Sequence, residues 1–314
     1  MKTVARYIFS VSVFTAILYL FDANDVLITL ADTDILSIIL AVLFSLAAQI
    51  LISERLHQLL RLQSIVLGLR KLVQIGLSAV FYGLILPGGN VAAFAVRLMQ
   101  LSRVASIGSV ASALFTDRLI ATVTLIFIGA AAIAIDQVVV RWIGFFVTGL
   151  VIITAVLLFR FRSSLLNVER FKGVAGGDEI GKLRRLSIRI HDSLAIYSTV
   201  DNRQGLAILS VSLLAHICGC IAYYVIAIGI GLDVSFVTVC WIRTVLILAV
   251  MIPVSVAGLG LREISAIGLF LPLGFSEAQA ISYSVLILLG TAVIPGILGG
   301  LLELSIQKSV SKDA

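Results

Sequence analysis

Six charged residues lie within stretches of sequence that are otherwise apolar. They are Arg97, Asp117, Arg118, Arg243, Arg262 and Glu263. A charge inside a membrane costs free energy, so residues of this kind usually mark a substrate or ion site. The guanidinium group stays ionised and donates paired hydrogen bonds to phosphate. The arginines therefore predict a cavity for an anionic headgroup, with the two carboxylates as counter-ions.

A structural role for the same charges is the alternative, and the sequence leaves both open. Adjacent residues on a helix point in different directions, so each charge is expected to pair with another segment. The histidines show no metal-ligand spacing, and the three cysteines lie in apolar runs as small buried residues. We therefore predict no metal site and no cofactor.

The composition places these charges in a membrane protein. Of the 314 residues, 60% are apolar and 13% are charged, against about 45–50% and about 25% in soluble domains. The net charge of +6 fits basic cytoplasmic loops, and nucleic-acid binding is not expected. The apolar runs are 7–21, 35–52, 71–86, 109–134, 138–159, 206–230, 235–256 and 277–303.

The charges of the loops predict the orientation. Segment 22–34 contains four aspartates and no basic residue, whereas segments 53–71 and 160–203 are rich in lysine and arginine. The positive-inside rule therefore places both termini in the cytoplasm of a protein of the plasma or cell inner membrane. The loop 160–205 contains a basic amphipathic pattern, which indicates either contact with anionic headgroups or a cap on the helix bundle. We expect one polytopic domain over residues 1–314.

Two apolar segments are interrupted by proline and glycine. With the predicted orientation, segment 71–103 must begin and end inside, and segment 235–272 must begin and end outside. Each is predicted to be a re-entrant helical hairpin, here called the first and the second hairpin. The turn residues are Pro87, Gly88 and Gly89 in the first, and Pro253, Gly258 and Gly260 in the second. The alternative is that these residues merely kink ordinary spanning helices.

The predicted fold is an all-α integral membrane protein with about six spanning helices and two broken hairpins in an inverted repeat. Such repeats are typical of secondary transporters. The sequence also resembles a known family. Leu86-Pro87-Gly88-Gly89, then Arg97, then Asp117-Arg118 resemble the first half of the lysylphosphatidylglycerol synthase transmembrane-domain family, also called flippase-like domain proteins.

The second half of the chain resembles the same family, and the resemblance as a whole covers about residues 1–305. Segment 253–263 is similar to the family's Pro-x-x-x-Gly-Gly-x-Gly-x-Arg-Glu, with Ala257 in place of the first glycine, and segment 295–300 is also similar. The resemblance implies a translocase that moves an anionic phospholipid or a polyprenyl- or glyco-linked lipid between leaflets by alternating access. We expect this chain to correspond to the translocase part of the full synthases, without their soluble synthase domain.

No catalytic motif is found, so an enzyme is not expected. Three alternatives to lipid translocation remain open. The chain could be a non-transporting partner that scaffolds a glycosyltransferase or another lipid-modifying enzyme. It could instead be an intramembrane lipid transferase, or a transporter of a small ion or solute.

Overall fold

Helices account for all the regular structure in the described part of the chain, which confirms the predicted all-α class. The structure is a computed structural model that describes residues 23–86, 89–136, 200–251 and 258–310. The helices are α1 (Ala23–Ala31), α2 (Ile35–Leu62), α3 (Leu69–Ile85), α4 (Asn90–Leu101), α5 (Ile107–Ile135), α6 (Asn202–Gly229), α7 (Phe236–Val250), α8 (Leu261–Phe270), α9 (Glu277–Leu288) and α10 (Ile294–Val310). A π-helical turn, Leu289–Val293, joins α9 to α10.

Four of the described helices are long and apolar enough to cross a membrane. They are α2, α5, α6 and the continuous helix Glu277–Leu304, each of 28 or 29 residues. At 1.5 Å per residue each is about 42 Å long, which exceeds a hydrocarbon core of about 30 Å. The predicted spans 7–21 and 138–159, and the amphipathic pattern up to residue 199, lie outside the described residues.

Short polar side chains cap the first turn of four of the described helices. Asp34, Ser106, Ser235 and Ser276 cap α2, α5, α7 and α9, each accepting a hydrogen bond from a backbone N–H in the first turn. Ser276 also donates its own backbone N–H to the side-chain oxygen of Gln279, at 2.9 Å. Such caps satisfy N–H groups that would otherwise be unpaired at a helix start.

Helix α2 is longer than the sequence indicated. The apolar run ended at residue 52, whereas α2 ends at Leu62. The segment 53–71 was expected to be a cytoplasmic loop, but Arg55 lies within α2 and is only 2% exposed. The loop assignment of Arg55 was wrong; its burial in a helix is possible because a carboxylate on α5, Asp117, compensates its charge. The cytoplasmic side of the segment stays a prediction.

The first hairpin consists of α3 and α4, which pack against each other. Gly83 allows the close approach, since a Cβ at this position would lie 3.2 Å from the Cβ of Ala93. Leu72 near the start of the hairpin and Leu101 at its end belong to one apolar cluster. The same cluster contains Val110 from the first turn of α5. Both ends of the first hairpin therefore pack beside the N-terminal end of α5.

The second hairpin consists of α7 and α8 and packs beside the other end of α5. Trp241 Nε1 and Thr238 Oγ1 donate hydrogen bonds to Asp136, which follows the last residue of α5, at 2.8 and 2.7 Å. Phe270, the last residue of α8, belongs to the same apolar cluster as Trp241 and Ile133. The two hairpins thus lie at opposite ends of α5. Their re-entry into a membrane and the inverted repeat stay predictions.

Glycines in α10 hold this helix against α3. A Cβ on Gly299 would overlap the backbone carbonyl of Leu77, and one on Gly300 would lie 3.0 Å from the ring of Phe81. Small residues of this kind let helix backbones approach closely in membranes. The contact fixes the middle and the second half of α3 against the last long helix.

Candidate functional site

A cavity of about 400 Å³ is lined by residues of both hairpins. Gly89 from the turn of the first hairpin and Gly258 from the turn of the second both line it. Its volume falls within the ~300–1,000 Å³ of small-molecule sites. Its charged lining residues are Arg55, Arg97, Asp117, Arg118, Arg243 and Arg262. The tertiary structure therefore brings together five of the six charged residues singled out in the sequence.

Glu263 is the predicted site residue that does not line the cavity. Its side chain is fully buried, and its carboxylate accepts hydrogen bonds from the backbone N–H of Gly260 at 2.6 Å and from Ser284 Oγ at 2.9 Å. Arg262 Nη2 also contacts Glu263, at 3.3 Å. Both side chains contact Ser284 on another helix, as expected, but the expectation that each charge pairs with another segment was wrong for their ion pair, because Arg262 and Glu263 pair with each other.

The turn of the second hairpin requires glycine at two positions. Gly258 and Gly260 have φ angles of +79° and +84°, a region that is costly for residues with a Cβ. A Cβ on Gly258 would also lie 2.7 Å from Val250 Cγ1. This turn delivers Arg262, 6% exposed, to the cavity. The other predicted turn residues Pro87, Gly88 and Pro253 lie outside the described residues.

Asp117 is the counter-ion of Arg55 rather than of a predicted site arginine. The Arg55 Nε donates to Asp117 Oδ1 at 2.7 Å, and Arg55 Nη1 donates to Ser212 Oγ at 2.8 Å. Ser212 in turn contacts Thr124 Oγ1 at 2.7 Å. This network joins α2, α5 and α6 and is almost fully buried. For Asp117, the structure therefore supports a structural role in an ion pair rather than a role as counter-ion of the predicted site arginines.

Arg243 is buried, yet part of its guanidinium has no hydrogen-bond partner. Its side chain crosses Gly219, where a Cβ would overlap the guanidinium, and it lies over the ring of Tyr223, at 5.4 Å from the ring centre. Arg243 Nη1 donates a long hydrogen bond to Cys220 Sγ at 3.9 Å. The Nε atom is buried without a partner. An unsatisfied buried donor is costly; because Arg243 also lines the cavity, its guanidinium is suited to donate hydrogen bonds to a ligand there.

Arg97 and Arg118 extend the same positive surface. The Nε of Arg97 is buried and unpartnered, and Arg97 experiences the opposing charge of Asp117 together with the like charges of Arg118 and Arg55. Arg118 is exposed where it lines the cavity. In the described part of the chain, neither side chain has a carboxylate within salt-bridge distance. Both guanidinium groups are therefore available to an anion.

The sequence model of a protein family, the lysylphosphatidylglycerol synthase TM region, matches residues 4–299 of the chain. The chain belongs to this family. The matched range contains both hairpins and every residue that lines the cavity. No match was found among curated proteins. The chain is therefore a membrane domain of the lysylphosphatidylglycerol synthase TM region family.

This family member also carries site residues that the sequence interpretation missed. Gln49 lines the cavity with a buried, unpartnered Oε1; its position within an apolar run was an available signal. His216 lines the cavity and donates its Nε2 hydrogen to the carbonyl of Ala121 at 2.9 Å. The π-helical turn contributes Thr291 and Ala292. Single π-helical turns are frequent at functional sites, but no residue pattern here indicated one.

Proposed function

We propose that the protein is a lipid translocase of the plasma or cell inner membrane. It moves an anionic phospholipid or a polyprenyl- or glyco-linked lipid between leaflets. One observation carries the proposal: the two hairpins, which pack at opposite ends of α5, each contribute a turn residue to a cavity lined by five arginines and one aspartate. Buried cationic groups without partners need an anion to offset the cost of removing them from water.

In the proposed mechanism the headgroup enters the cavity and the acyl chains stay in the lipid. Arg97, Arg118 and Arg243 donate hydrogen bonds to the phosphate and replace its hydration shell. Movement of one hairpin at a time then opens the cavity to one leaflet or the other, which is alternating access about a fixed site. The proposal assigns no covalent chemistry to the chain.

The test is lipid translocation by purified protein in proteoliposomes. A fluorescent phosphatidylglycerol is placed in both leaflets, and a membrane-impermeant reductant quenches only the outer one. The wild type is expected to expose the inner pool, and Arg97→Gln to slow this by about 10–100-fold, since a hydrogen bond to a charged group contributes about 1.5–3 kcal/mol. Translocation at the wild-type rate by folded Arg97→Gln would contradict the site.

Arg61→Gln is the matched control. Arg61 lies on α2 like Arg55, is exposed and does not line the cavity, so its replacement is expected to leave the rate unchanged. A wild-type protein that moves no lipid, and that copurifies with a stoichiometric enzyme, would instead favour the scaffold alternative. Conversion of a lipid by the purified chain would favour the transferase alternative.

A further inference from the structure

The charges around the cavity do not balance. Five arginines line it, and within the described residues two carboxylates lie within salt-bridge distance of them, Asp117 on Arg55 and Glu263 on Arg262. In the described ranges, Arg97, Arg118 and Arg243 have no carboxylate partner, which leaves three positive charges uncompensated there. The opposing charge of Asp117 reaches Arg97 and Arg118, but Asp117 accepts its hydrogen bond from Arg55.

An occupant with a single negative charge would leave most of this excess in place. A phosphodiester such as phosphatidylglycerol carries one charge, whereas a terminal phosphate carries about −1.5 to −2 near neutral pH and offers three acceptor oxygens. A diphosphate carries more charge still. Because interactions between charges strengthen as the local dielectric falls, each additional negative charge has a larger effect here than in water.

The donor geometry agrees with the charge. Arg97 and Arg243 both line the cavity, and among the described residues neither has a carboxylate within salt-bridge distance. These two residues belong to different hairpins, and Arg118 lies on α5 between them in the chain. Three guanidinium groups from three elements suit an acceptor with several oxygens pointing in different directions, which a terminal phosphate or diphosphate provides.

The cavity also has an apolar side from which acyl or polyprenyl chains could leave. Val91 and Phe94 on α4 line the cavity and are 60% and 36% exposed. Phe94 lies three residues before Arg97, so the two share one face of α4. A headgroup at Arg97 would therefore place its chains against exposed apolar surface. This feature favours a lipid over a free phosphate ion.

We infer that the cavity selects lipids whose headgroup carries two or more negative charges, as a terminal phosphate or a diphosphate, over lipids with a phosphodiester headgroup. The inference rests on the proposed function and narrows its substrate class. It predicts that the selectivity resides in Arg97, Arg118 and Arg243, and that the paired Arg55 and Arg262 contribute less to it.

Binding of three lipids with identical chains tests the inference. Native mass spectrometry of the full chain would compare dioleoyl phosphatidic acid, dioleoylglycerol pyrophosphate and dioleoyl phosphatidylglycerol. The first two are expected to bind about tenfold or more tightly than the third. Arg118→Gln is expected to remove most of this preference. Arg118 has no side-chain hydrogen bond among the described residues and is exposed, so this variant should fold; Arg243→Gln serves as the second variant.

Each other outcome counts against a specific part of the inference. Equal affinities for the three lipids, or a preference that survives both variants, would overturn it. Inorganic pyrophosphate is expected to bind about tenfold more weakly than the pyrophosphate lipid, and equal binding would overturn the lipid assignment. Arg61→Gln should leave every affinity unchanged.

The translocation assay separates failure of the inference from failure of the proposed function. Equal binding together with transport of phosphatidylglycerol would overturn the charge selectivity and leave translocation standing. Selective binding, with no transport of either a fluorescent phosphatidic acid or the fluorescent phosphatidylglycerol, would support the selectivity and overturn translocation.

Discussion

At the scale of single residues, the pair Arg55–Asp117 differs from the other charges of the cavity. Both side chains are almost fully buried and their contact is short, at 2.7 Å. We predict that Asp117→Leu lowers the free energy of unfolding in mixed detergent micelles by about 3–5 kcal/mol, because the buried Arg55 then lacks its counter-ion. The measurement is a denaturant titration followed by circular dichroism.

A double variant separates the charge from the packing. Arg55→Met combined with Asp117→Leu is expected to recover much of the lost stability, since replacing both buried charges with apolar groups is often neutral. A double variant as unstable as Asp117→Leu alone would contradict the assignment of the loss to the unpaired charge of Arg55. Arg61→Met, on the exposed face of α2, is expected to have almost no effect.

At the scale of helices, two glycines predict opposite effects of the same substitution. A Cβ on Gly299 of α10 would overlap the carbonyl of Leu77 on α3, whereas a Cβ on Gly268 of α8 would meet nothing within 4 Å. Gly299→Ala is therefore expected to lower the free energy of unfolding by about 1–3 kcal/mol through overpacking. Gly268→Ala should raise it by about 0.5–1 kcal/mol through helix propensity. The same titration measures both.

The pair of glycine variants also tests how the first hairpin is held. If α10 moves away from α3 in Gly299→Ala, the hairpin loses part of its support and transport should fall together with stability. Gly268→Ala is the matched control, because it adds the same methyl group to a helix surface. Equal stability changes in the two variants would contradict the close contact between α3 and α10.

At the scale of the whole molecule, the two hairpins predict a labelling pattern across the membrane. Val66 and Val104 flank the first hairpin, and Asp233 and Pro272 flank the second; all four are exposed. In a background with the three cysteines replaced by alanine, each would be changed to cysteine in turn. Re-entrant hairpins place the first pair inside and the second pair outside, so a membrane-impermeant maleimide should label only the second pair in intact cells.

Spanning helices in place of hairpins would give a different pattern. If α3 and α4 crossed the membrane together as one kinked helix, Val66 and Val104 would be labelled from opposite sides. The same argument applies to Asp233 and Pro272. Labelling of Val66 from outside together with Val104 would reverse the predicted orientation and leave the hairpins intact.

The sequence by itself determined the features that depend on local chemistry. Apolar runs of sufficient length predict spanning helices because a helix satisfies its own backbone hydrogen bonds in lipid. Proline and glycine at 87–89 and 253–260 predicted the breaks between α3 and α4 and between α7 and α8, because these residues interrupt helices or accept unusual φ angles. The charged residues singled out in the sequence included four of the five arginines that line the cavity; Arg55 was missed.

Only the tertiary structure decided which charges are compensated and which face the cavity. Arg55 and Asp117 are 62 residues apart in the chain, and Arg55 and Ser212 are 157 apart, so no local pattern could pair them. Glu263 turned inward to cap α8 because the folded turn places the N–H of Gly260 within its reach. Compensation of buried charge depends on distances between elements, and those distances exist only once the helices are packed.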